Sequence, residues 1–242
     1  MNKIGVLVAA LSAGAGAAHA DLVAYWAFQS TVPASADNFK MSWPIAADLK
    51  ANAGPATLDT DARKWDGTLT SPTALQQGAL QHFTGTLLNA VSPFAAGADL
   101  SIRSLNGDSN GKSFILAFDN SNFADLILSY ADRYTSTGPT DVAFSYSTDG
   151  VNYIDIPAAA YNTTGFRDST YRVRTVDLSA VDALDNLSSA FIKITFSGFS
   201  TTSSTGNARL DNILISGTLI PTPGTASLFA LAGLAAARRR RR

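Results

Sequence analysis

The chain holds two histidines, His19 and His82, no cysteine and no glutamate, so its nineteen acids are all aspartate. A Ser-His-Asp triad in the body of the chain would have to be built on His82. That residue sits in Leu80-Gln81-His82-Phe83-Thr84 with no nucleophile motif beside it, and it reads as a histidine on a strand surface. Two carboxylates across a cleft suffice for glycoside hydrolysis, but no spacing singles out a pair among nineteen. The chain therefore reads as non-enzymatic, with a hydrolase using paired Asp as a second alternative.

Asp211 stands out because simple alternation puts it on one face with Ile213 and Ile215. A carboxylate on an apolar face needs a partner to offset its desolvation, and backbone amides or Arg209 would supply one. Asn106-Gly107-Asp108-Ser109-Asn110-Gly111 lacks the spacing and terminal Glu of a calcium loop and reads as a solvated turn. Asn162-Thr163-Thr164 and Asn186-Leu187-Ser188 match short glycosylation sequons. Sugar-binding sandwiches use exposed aromatic planes for stacking; Trp43, Trp65, Tyr134, Tyr153 and Tyr161 are the candidates, each weighed against ordinary packing. Trp26, in the opening strand, reads as core.

Strands must carry these groups. Asp and Asn dominate where helix formers would be needed, and from Ser113 onward the apolar period is close to two. Phe114, Leu116 and Phe118 alternate, then Leu126, Leu128 and Tyr130, then Val142, Phe144 and Tyr146; these three successive strands are expected to form half of a sandwich core. Asp149-Gly150 predicts a tight hairpin. Further strands are expected over 171–178, 191–196 and 208–216, and an opening one over 22–28. Residues 31–72 read as long loops, with short strands near Thr68 and Leu80, and 179–188 as a crossing loop with one helical turn.

Both ends carry transport signals. Lys3, the apolar stretch 4–18 and Ala18-His19-Ala20 form a secretion signal cleaved after Ala20. At the other end Pro221-Thr222-Pro223-Gly224 precedes an apolar stretch, 225–237, and five arginines, Arg238, Arg239, Arg240, Arg241 and Arg242. Arginines that snorkel to lipid phosphates lengthen a short membrane segment. Lys3 and the terminal arginines take six of the eighteen cations, leaving twelve against nineteen acids, so the body carries about −7. That charge disfavours nucleic-acid partners. Without cysteine, an exported domain of this size is held by its hydrophobic core.

Head and tail together resemble the bacterial PEP-CTERM proteins, with Thr222 where the family usually has Glu between the prolines. The resemblance implies a signal peptide (1–20), a body (21–218) and a sorting signal with a transmembrane helix (219–242). It also implies processing by signal peptidase and an exosortase-type peptidase, a transient stay in the inner membrane, and delivery to the cell surface or an extracellular polysaccharide matrix. Ala24-Tyr25-Trp26-Ala27-Phe28, Phe144-Ser145-Tyr146-Ser147-Thr148-Asp149-Gly150 and Gly206-Asn207-Ala208-Arg209-Leu210-Asp211-Asn212-Ile213 resemble the jelly-roll β-sandwich domains related to carbohydrate-binding modules. That likeness implies an all-β jelly-roll sandwich and a lectin-like alternative to a purely structural matrix role. It also implies a structural Ca2+ with Asp211 as first ligand, for which Asp21 and Asn212 are companions by position alone, against the amide-bonded carboxylate of the residue-level reading.

Overall fold

The computed structural model describes residues 20–28, 40–41, 43–62, 75–76 and 80–221. Its strands are β1 (Asp21–Trp26), β2 (Lys40–Met41), β3 (Ile45–Ala46), β4 (Leu49–Lys50), β5 (Ala56–Thr60), β6 (Leu75–Gln76), β7 (Leu80–Gln81) and β8 (Leu100–Arg103) in the first half. The second half supplies β9 (Lys112–Phe118), β10 (Phe123–Tyr134), β11 (Asp141–Ser147), β12 (Ile154–Asp155), β13 (Tyr161–Asn162), β14 (Arg172–Asp177), β15 (Ala190–Ser197) and β16 (Asn207–Leu219). The only helical turns among the described residues are three-residue 3-10 turns. One of them, Asp182–Leu184, lies in the crossing loop where a single turn was expected.

Two antiparallel seven-stranded sheets face each other. In the first, β16 is central: β10 and then the edge strand β14 lie on one side, while β1 with β4, and β8 with β7, share the other. The second runs β12-β11-β15-β9-β5-β3, with β13 beside β11. Period-two alternation turns one face of each strand inward. Leu116 and Phe118 of β9, Ile192 and Ile194 of β15, Leu128 of β10 and Ile215 of β16 are all essentially inaccessible. Phe114 meets Phe196 edge to face, 5.7 Å between ring centroids. Trp26 is fully buried, as expected, and its indole N–H donates to the Ile45 carbonyl across the sheets at 3.3 Å.

Three expectations need correcting. The successive strands β9, β10 and β11 do not form one half of the sandwich, because β10 belongs to the opposite sheet from β9 and β11. Alternation tells which face of a strand is apolar, not which strand lies beside it. Asp149-Gly150 does join β11 to β12, but the innermost pair is Tyr146 with Ile154, so the connection is longer than two residues. Gly150 takes the positive φ (75°), while the Asp149 carboxylate gathers the amides of Val151 and Asn152, both at 2.8 Å. Finally, 31–72 is not all loop: β5 has full strand alternation and pairs with β9, and β3 and β4 are short strands. Thr68 lies outside the described residues.

Candidate functional site

On β10 the face that carries Leu126, Leu128 and Tyr130 continues through Asp132 and Tyr134, and all five side chains are buried. Asp132, 1% exposed, is therefore a carboxylate facing the sandwich interior. Arg174 of the neighbouring β14 stands opposite Tyr130, two pairs along from Asp132. Its Nε donates to Asp132 Oδ2 at 3.0 Å. The same oxygen accepts the hydroxyls of Tyr161 at 3.0 Å and Tyr134 at 3.3 Å. Tyr161 comes from β13 of the other sheet, so the cluster ties the two sheets together at their edges. The guanidinium lies between aromatic faces, 4.1 Å from the Tyr161 centroid and 5.2 Å from that of Phe166. Burial opposes the charge on Arg174, yet the Asp132 carboxylate more than offsets it and the pKa is raised. Burial, foremost, pushes the Tyr130, Tyr134 and Tyr161 phenols well above their ordinary range.

Beside this cluster a cleft of about 480 Å³ opens between residues 158–161 and the outer side of β14. One side is lined by Ala158, Ala159 and Ala160; the other offers Thr175, Asp177 and Ser179, with Tyr161 and Arg174 also lining it. Among the described residues β14 pairs with β10 alone. Alternate backbone N–H and C=O groups of an edge strand point away from its sheet, so the cleft combines apolar walls with donors and acceptors of both kinds.

Asp211 occupies a different place. Ser129 faces Leu214 and Ala131 faces Asp211, so β16 carries one extra residue between those pairs. The bulge is at Asn212, whose φ is 49°. It reverses the expected parity: Asp211 turns to the outer face of the first sheet, away from Ile213 and Ile215. There residues 83–99 cross over it. Oδ2 accepts the Thr86 amide at 2.7 Å and Oδ1 the Asn212 amide at 2.8 Å. Asn212 Nδ2 donates to the carbonyls of Thr86 (2.7 Å) and Leu88 (2.9 Å), and its Oδ1 accepts the Tyr25 hydroxyl at 2.7 Å. The crossing segment approaches so closely that a Cβ at Gly85 would collide with Asp211 Oδ2. Burial, slightly countered by the two amides and reinforced by nearby Asp99, raises the Asp211 pKa to about 7.

The remaining predicted residues scatter. Asp21 is exposed and pairs with Gly217, six positions along β16 from Asp211, which at a strand's rise is about 20 Å away. The three candidate calcium ligands therefore do not converge, and no group of three metal-binding side chains occurs among the described residues. Tyr134, 1% exposed, is no stacking platform, and Trp43, 8% exposed, packs into the core. Tyr153 is half-buried beneath Lys193, whose Nζ lies 3.8 Å from the ring centroid. Tyr161 alone of the described aromatic candidates reaches the cleft. His82 is 6% exposed, so it does not sit on a strand surface. Ala20 and Pro221 are exposed at the two ends of the described body. Trp65, Pro223, Gly224 and Arg238 to Arg242 lie outside the described residues, as does the expected membrane segment. No helix among the described residues is long and apolar enough to cross a membrane. Arg174, Asp132 and Asp177 were missed, although Tyr130-Ala131-Asp132-Arg133-Tyr134 carries the same signal of an acid in an apolar alternation that singled out Asp211.

No family model matches the chain. No curated protein matches it either. Among solved structures, the K1 cleaved adhesin domain of Lys-gingipain from Porphyromonas gingivalis W83 is 13% identical, with a TM-score of 0.43 over 80% of this chain and 97% of that one. The xylan-binding module CBM15 is 8% identical, with a TM-score of 0.40 over 59% of this chain and 93% of that one. TmCBM61, solved with β-1,4-galactotriose, is 10% identical, with a TM-score of 0.37 over 66% and 87%. These likenesses are loose, and the two-sheet architecture stands on the strand pairing described above.

Proposed function

We propose that this is an exported, non-catalytic jelly-roll sandwich that binds carbohydrate through the cleft beside β14. The observation that carries the reading is the cleft itself: about 480 Å³, lined by Ala158, Ala159 and Ala160 on one side and by Arg174, Thr175, Asp177 and Ser179 on the other. Clefts of this size that combine apolar walls with a few oriented polar groups suit small ligands and short segments of polymers. The alanine side fits the C–H faces of a pyranose, while Thr175, Ser179 and the free edge of β14 match its hydroxyls.

The two terminal signals support export and sorting of the PEP-CTERM kind, with signal peptidase and an exosortase-type enzyme as processing partners and the cell surface or its polysaccharide matrix as destination. A hydrolase is the weaker reading. Asp99 and Asp211, which interact electrostatically, are each 0% exposed and so are closed to a polymer.

Ala160→Trp tests the proposal. Ala160 is exposed and has extended backbone, φ −65° and ψ 143°, so the indole enters the cleft without disturbing the core. Glycan-array binding by the wild type that disappears in this variant, at unchanged melting temperature, supports the reading. Binding that survives the plug places the ligand elsewhere.

A further inference from the structure

Resting on that reading, we infer that the cleft selects neutral polysaccharide and rejects uronate polymers. Among the described residues its lining contains one cation, Arg174, and one anion, Asp177. The cation's charge is already offset: its Nε is bonded to Asp132, which is itself buried. The guanidinium is further held between the rings of Tyr161 and Phe166. A ligand carboxylate would have to share the guanidinium with Asp132, and it gains less than a first partner would because Asp132 already offsets the cation.

Asp177 is exposed and accepts the Ser179 amide at 2.9 Å, a bond that lowers its pKa and keeps it ionised at neutral pH. Arg174, Asp132 and Asp177 together leave the site one negative charge. Nearby cations do not reverse the sign. Arg172 is taken by Asp168 through two bonds of 2.9 and 2.6 Å, and Lys193 lies over Tyr153; neither lines the cleft. The body's charge of about −7, from twelve cations and nineteen acids, repels a polyanion at longer range. Hydroxyls meet none of these penalties, since they both donate to Asp177 and accept from Ser179 or the strand edge.

The test is native electrophoresis of the mature protein through gels containing neutral glucans, mannans, xylans or galactans, or containing polyuronates, at low and moderate salt. Retardation by a neutral polymer is expected, with binding to polyuronates at least about tenfold weaker at low salt. Asp177→Asn is expected to narrow that gap. Retardation by polyuronates as strong as by neutral polymers overturns the selectivity while leaving a carbohydrate site in place. A gap that Asp177→Asn leaves untouched also overturns the electrostatic basis. Retardation by neither class overturns the binding reading, and the selectivity with it.

Discussion

Asp132 and Asp211 are both buried carboxylates on the same sheet, and the molecule accommodates them in opposite ways. Asp132 faces inward and is met by a guanidinium and two tyrosine hydroxyls, so its charge is balanced in place. Asp211 faces outward beneath residues 83–99 and is met only by backbone amides, with Asp99 as an unfavourable neighbour. One site meets its carboxylate with a guanidinium; the other moves toward holding a proton. A buried acid in a sequence therefore does not announce a metal. What faces it decides between an ion pair, a proton and a cation.

Removing Asp132 should have the largest effect. Asp132→Ala strands Arg174 and two phenols in a buried setting, and is expected to cost about 3–5 kcal/mol in urea unfolding, the scale of a broken buried pair. A loss within the range of ordinary surface changes would mean that the cluster is hydrated and that the contrast with Asp211 fails.

The pH profile comes next. Because the folded pKa of Asp211 is raised to about 7, its contribution to stability is complete below the unfolded pKa and is lost as pH rises through about 7. The loss is expected to be roughly 2–4 kcal/mol. Asp99, raised chiefly by burial, adds a slope of the same sign. Urea midpoints measured from acid to alkaline pH should fall in the wild type and fall less in Asp211→Ala; equal slopes would assign the effect elsewhere.

Calcium provides a sharper division. Both Asp211 oxygens already accept backbone N–H groups, donors that a cation would have to displace. EDTA is expected to leave the melting temperature of purified protein unchanged, and a reversible drop of several degrees would restore a metal reading. The smallest effect belongs to Arg172→Ala, two residues from Arg174, whose pair with Asp168 is solvent-exposed. Exposed pairs contribute little, so its unfolding curve should nearly overlay the wild type's. Parity with Asp132→Ala would erase the distinction between paired charges inside and outside.

The sequence was most legible where alternation was long. β9, β15 and β16 lie where Phe114, Ile192 and Ile213 announced them, because a strand with one buried face must repeat its apolar residues every second position. The first half was harder to read, since β3 and β4 are two residues each and leave no period to detect. Of the candidate site, Tyr161 was visible, as an aromatic near a turn. Arg174 and Asp132 meet only because β14 pairs with β10, a contact spanning 42 positions along the chain.

From composition and local pattern alone came the all-β class and the inward face of most strands, together with the expectations of transport signals at both ends and of no nucleic-acid partner. These follow from properties each segment carries by itself. Tertiary structure decided the allocation of β10 to the opposite sheet from β9 and β11, the bulge at Asn212 that turns Asp211 outward, and the closing of a cleft between residues 158–161 and β14. Each depends on which strands become neighbours and on one extra residue in a ladder. Those choices are fixed by packing across the whole sandwich, and no short window of sequence contains them.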